Sequence, residues 1–131
     1  MTTPNYSIRS ELSLPLDDAL AKVTAALAKE GFGIITKIDL KEKLNEKLSV
    51  EIDPYLILGA CLPAFAYQAI QAEKEIGLFL PCNVIVYREG AKTVVAAINP
   101  LEAMSSIDNE KMTEIAREVT ARLRRVIQSL D

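Results

Sequence analysis

The chain has 131 residues, half of them hydrophobic and a quarter charged, with five glycines and six prolines; that balance excludes disorder, collagen-like repeats and low-complexity sequence and predicts one domain over residues 1–131. It holds no histidine, which removes Ser-His-Asp and Cys-His nucleophile activation, His-ligated zinc and an imidazole pH switch. A net charge of −3 offers no general attraction to nucleic acid or anionic lipid, and the most apolar stretch, Leu56 to Tyr67, is too short and too interrupted by Gly59 and Pro63 to span a membrane.

Tyr6 to Ser13 alternates apolar Tyr6, Ile8 and Leu12 with polar neighbours, the pattern of a half-buried strand. Leu16, Ala19, Leu20, Val23, Ala26 and Leu27 then recur at three and four, predicting a helix whose positive N-terminal end Asp17 and Asp18 favour and whose stop is Gly31. The β-branched run Gly33 to Ile38 reads as a second strand. Asp39, with Glu42 three residues on, opens a short amphipathic helix stepping through Leu40, Leu44 and Leu48, and its mixed charges from Lys41 to Lys47 are those of a solvated face.

After Pro54, Tyr55 to Cys61 is apolar enough for a buried strand, and Pro63 suits the first turn of a helix over Ala64 to about Lys74. Glu75 to Pro81 carries no clear period. Asn83 to Tyr87 and Thr93 to Ile98 flank a Gly90 turn and predict an antiparallel hairpin. A short helical piece is expected over Leu101 to Ser105, and Asp108-Asn109-Glu110 starts a long last helix with Met112, Ile115, Ala116, Val119, Leu123, Val126, Ile127 and Leu130 on one stripe. The fold class is therefore α+β: a two-layer sandwich of a mainly antiparallel sheet of about five strands with two long helices on one face.

Cys61, two residues before Pro63, and Cys82, directly after Pro81, are the only soft nucleophiles, and both are expected at strand ends. Cys61 precedes a helix N-terminus, where partial positive charge favours a thiolate; against that, free cysteines pack readily as small hydrophobes. Two cysteines are too few for a structural zinc site, so no metal and no cofactor is expected. The arginines at 117, 122, 124 and 125 suit a helix C-terminus, with Glu118 and Arg122 as an i,i+4 pair, and no carboxylate pair stands out for acid–base work. Asn99-Pro100 reads as turn chemistry. The chain opens with no basic region followed by an apolar run, so the expected compartment is the cytoplasm, where thiols stay reduced.

Three ordered phrases, Gly31-Phe32-Gly33-Ile34-Ile35-Thr36-Lys37-Ile38-Asp39, Tyr55-Leu56-Ile57-Leu58-Gly59-Ala60-Cys61-Leu62-Pro63 and Glu75-Ile76-Gly77-Leu78-Phe79-Leu80-Pro81-Cys82-Asn83-Val84, together with the Val-rich hairpin and a later Asn99-Pro100 and Met104, resemble the bacterial and archaeal domain of unknown function family 302. The resemblance implies a small two-layer α+β fold and brings no established activity. It draws attention to Gly59, Cys61, Pro63, Glu75, Pro81, Cys82 and Asn83 as residues that meet around one ligand-binding cleft. It also marks two departures, Leu62 where the family often has asparagine and Asn99 where it often has aspartate, and both count against a charged catalytic or metal site.

Three functions fit these residues. The first is a homodimeric binding module, not an enzyme, with a small apolar cleft lined by Cys61, Pro63, Pro81, Cys82 and Asn83 and with no nucleic-acid or membrane partner. The second is a thiol-based redox or transfer protein with Cys61 as thiolate and Cys82 as resolving cysteine. The third is a structural subunit whose apolar surface serves only self-association.

Overall fold

The structure, a computed structural model, describes residues 5–131. β1 (Ser7–Leu12) turns Ile8, Ser10 and Leu12 inward, and α1 (Leu16–Lys29) buries Ala19, Val23 and Leu27 along its predicted stripe. The helix stops at Gly31, whose φ of 90° a residue with a Cβ adopts only at a cost. There the Phe32 N–H donates to the Leu27 carbonyl and the Gly31 N–H to the Ala28 carbonyl, each at 3.0 Å, the paired bonds of a Schellman end. β2 (Gly33–Asp39) leads into α2 (Leu40–Leu48), capped as expected by the Asp39 carboxylate, which accepts from the Glu42 N–H at 3.0 Å.

β3 (Tyr55–Cys61) runs into α3 (Pro63–Ala72), with Pro63 in the first turn where its missing N–H leaves no bond unmade. A 3-10 segment (Lys74–Phe79) fills the stretch that has no sequence period. The hairpin follows as β4 (Cys82–Glu89) and β5 (Lys92–Ile98), with Gly90 at φ 60° in its two-residue loop, then α4 (Pro100–Ala103) and α5 (Glu110–Gln128). α3 stops at Ala72, short of the expected Lys74: Glu73 is extended, and Asn109 Nδ2 donates to the Ala72 carbonyl at 3.0 Å from the start of α5. The same Asn109 caps α5, its Oδ1 accepting from the Met112 N–H at 3.2 Å.

The strands form one antiparallel sheet in the order β1-β5-β4-β3-β2, so the α+β expectation is met. β1 and β2, consecutive in sequence, end at opposite edges. One core cluster joins the inward residues of the strands, among them Ile8, Leu58, Val84, Val86 and Val95, to the stripes of α1 and α5. α1 packs on β4 and β5, α5 on β1 and β5, and the two helices touch. Arg88 fastens the hairpin to the start of α1, donating to Thr93 Oγ1 at 2.8 Å and to the Leu14 carbonyl at 2.9 Å. α2 buries none of its residues, in keeping with its charge run. Among the described residues no helix is long and apolar enough to cross a membrane.

Candidate functional site

α3 is rich in alanine, and α5 presents Ala116 on its buried stripe, so where these helices face one another the side chains leave space unfilled. The space is a cavity of about 350 Å³ between α3, α5, the 3-10 segment and the ends of β3 and β4. Ala69, Ile76 and Met112 lie at its buried depth, and the exposed Ile35 and Ile70 stand at its opening. No charged side chain among the described residues lines it. The Arg122 guanidinium lies 5.2 Å over the Phe65 ring, which does line the cavity, but it is held by Glu118 and the Glu30 carbonyl, each at 2.9 Å.

Both cysteines are free and both reach this wall. Cys61 is the half-buried last residue of β3, and Cys82, buried, opens β4 with Ala60 as its register partner, so the thiols sit at neighbouring strand ends. Burial pushes the Cys82 thiol up to about 11, with the neighbouring Cys61 thiol adding to the rise. At neutral pH Cys82 is therefore a small apolar group with its proton on.

A few residues away, β3 passes so close to its neighbours that only glycine fits. A Cβ on Gly59 would collide with Thr36 Oγ1 and lie 2.6 Å from Pro81 Cγ. The Thr36 hydroxyl can rotate away, but the Pro81 ring cannot. Gly59→Ala is expected to lower unfolding free energy by about 1–3 kcal/mol, the range for overpacking. Gly77→Ala, where a Cβ meets open space, should shift the urea midpoint far less.

A family model, Domain of unknown function DUF302, matches residues 6–130. The chain belongs to the DUF302 family. Its fold is also that of a solved relative, described as an uncharacterized conserved protein DUF302 from Bacillus stearothermophilus: identity is 25%, the TM-score is 0.90, and the match covers 98% of this chain and 100% of that one. No curated protein matches the chain.

Within this DUF302 fold the residues singled out in the sequence do not all meet. Cys61, Pro81 and Cys82 line the cavity; Asn83 lies with Pro81 and Cys82 on a second groove, over the outward side of the sheet beside Thr36 and Ile57. Gly59 supports Pro81 from behind. Pro63 is exposed in the first turn of α3, and Glu75 faces a separate shallow pocket with Glu73 and Asp108. Of the two departures from the family pattern, Leu62 is buried in the cavity wall, whereas Asn99 is structural, donating to the Asn5 carbonyl at 3.0 Å and accepting from Thr120 Oγ1 at 3.4 Å.

Most of the wall comes from residues the sequence did not mark for a site: Phe65 and Ala69 of α3, and Met112, Ala116 and Val119, expected only as the core stripe of the last helix. Their helical period says that they face inward, not that a void lies between them. The one available signal was the run of alanines at 64, 66, 69 and 72, small side chains on a helix that faces another small one.

Proposed function

We propose that this DUF302 protein is a cytoplasmic, homodimeric binding module that holds a small, uncharged apolar ligand between α3 and α5. The observation that carries the reading is the cavity itself: about 350 Å³, within the usual range for ligand sites, lined by apolar side chains and two thiols, with no group to balance a charge. Its two free cysteines suit a reducing compartment.

The test is titration with the uncharged fluorophore N-phenyl-1-naphthylamine. A saturable, one-to-one rise in fluorescence is expected, and at a hundredfold excess over Kd the ligand should raise stability by about 2.7 kcal/mol. Ala66 stands half-buried on the cavity wall, so Ala66→Trp should fill the space from its rim and weaken binding at least tenfold with the fold intact. Absence of saturation, or equal affinity in the variant, would overturn the reading.

The adjacent strand ends of Cys61 and Cys82 favour a second reading, a thiol-based redox or transfer protein with Cys61 attacking and Cys82 resolving. The high affinity of Cys82 for its proton weighs against the resolving step, in which Cys82 would have to attack as a thiolate.

A further inference from the structure

The proposed ligand cavity lies on the inward side of the sheet, and beyond the groove beside Asn83 the outward side carries no assigned role. Register sets Ile38, Ile57, Ile85, Ala96 and Arg9 in one line across all five strands. A second line runs Tyr55, Tyr87, Val94 and Glu11, with the two tyrosine rings stacked at 5.2 Å. An antiparallel sheet with one face on the core ordinarily turns polar residues outward, because water covers that side. Here the outward positions of the inner strands are isoleucine, tyrosine, valine and alanine. Ile38 remains 42% exposed and Ile57 and Ile85 are half-buried, while Val94 and Ala96, at 1% and 8% exposed, are already covered within the chain.

We propose that this outward face is the interface of the homodimer, occupied by the same face of a second copy of the chain. The proposal rests on the homodimeric part of the proposed function and on none of its ligand part. Three observations commit it to a second copy. The first is size: five strands spaced at about 4.8 Å, each about seven residues long at about 3.4 Å per residue, make a face roughly 24 Å square. In projection that is about 580 Å² per partner, at the small end of specific interfaces, whose standard size is roughly 800 Å² per partner.

The second is self-complementarity, which a two-fold contact demands. The β1 rim carries one charge of each sign, Arg9 and Glu11, 3.5 Å apart and with the Glu11 side chain more than half exposed. A two-fold axis crossing the strands between the two lines lays the isoleucine line of one copy over the tyrosine line of the other. The same axis brings Arg9 of each copy to Glu11 of its mate. The third is that the β2 edge is guarded: β2 is bulged between Ile34 and Thr36 and carries Lys37 and Asp39 on its inward side, devices that discourage edge-to-edge pairing. Association is thereby directed to the face.

The test is sedimentation equilibrium of the full chain at tens of micromolar. Wild type is expected at twice the 14.4 kDa chain mass. Ile85→Lys, at the centre of the face, should weaken association at least a hundredfold, and Arg9→Glu, at the rim and away from the core, at least tenfold. Tyr67→Lys, on the exposed side of α3, should leave the dimer unchanged. Circular dichroism checks each fold, and Arg9→Glu carries the test if Ile85→Lys does not fold. Wild-type protein sedimenting at 14.4 kDa would overturn the homodimer altogether. A wild-type dimer that both variants retain would overturn this face and leave the homodimer standing on another surface. Neither result touches the fluorophore titration.

Discussion

Leu123→Ala lowers the free energy of unfolding by about 3–4 kcal/mol, within the range for a fully buried leucine whose site cannot collapse. Leu123 is 0% exposed and lies midway along the stripe of α5, in the cluster that joins both long helices to the sheet. The loss has two parts: the apolar surface no longer withdrawn from water, and the void left among neighbours already held by the sheet below. Against a total of about 5–15 kcal/mol for an ordinary domain, it removes a large share of the stability. Urea denaturation measures it as a lower midpoint at unchanged slope. Leu123→Met, which keeps the volume, should cost less than about 1.5 kcal/mol. Arg124→Ala, next along the helix but exposed, should stay within about 0.5 kcal/mol. Equal losses in Leu123→Ala and Arg124→Ala would mean that α5 is not the centre of the core.

Between pH 9 and 11 the wild-type protein loses about 2–3 kcal/mol of stability that Cys82→Ala does not lose. The folded chain holds the Cys82 proton up to about pH 11, while the unfolded chain releases it near the ordinary value of 9.0. Below pH 9 both states keep the proton and the thiol contributes no slope. Above it the unfolded state binds fewer protons, so stability falls as pH rises, and it levels off once the folded thiol also ionises. Two pH units at 1.36 kcal/mol each set the magnitude. Burial also raises the Tyr55 hydroxyl, with Tyr87 adding to it, and this acts in the same direction above pH 10. The comparison with Cys82→Ala removes that contribution, because Tyr55 is present in both chains. A disulfide reagent checks the same point at neutral pH: Cys61 should react in the native protein, and Cys82 at the rate of unfolding. A difference between wild type and variant that stays flat with pH would show an accessible Cys82 and revive the thiol reading.

The helix ends show how far local chemistry reaches. The Gly31 stop and the Asp39 and Asn109 caps were all readable as residue types at fixed offsets, since each is made within a few residues of chain. The end of α3 was not, because it is set by Asn109 reaching across from another helix. The 3-10 segment was equally hidden: it has no hydrophobic period, and what anchors it is the burial of the single residue Ile76.

The candidate site divides in the same way. Cys61, Pro81 and Cys82 were conspicuous as residue types, yet nothing local separates them from Pro63 and Glu75, which the fold places elsewhere. By itself the sequence determined the elements, the amphipathic stripes and the α+β class, because period, capping and turn chemistry act over one or two turns of chain. Only the tertiary structure decided the order that sends β1 and β2 to opposite edges, the void where alanines of α3 and α5 face each other, and the outward line from Ile38 to Arg9. Each of these depends on register between segments far apart in the chain, and burial alone does not specify register: the same apolar residue satisfies it against any of several partners.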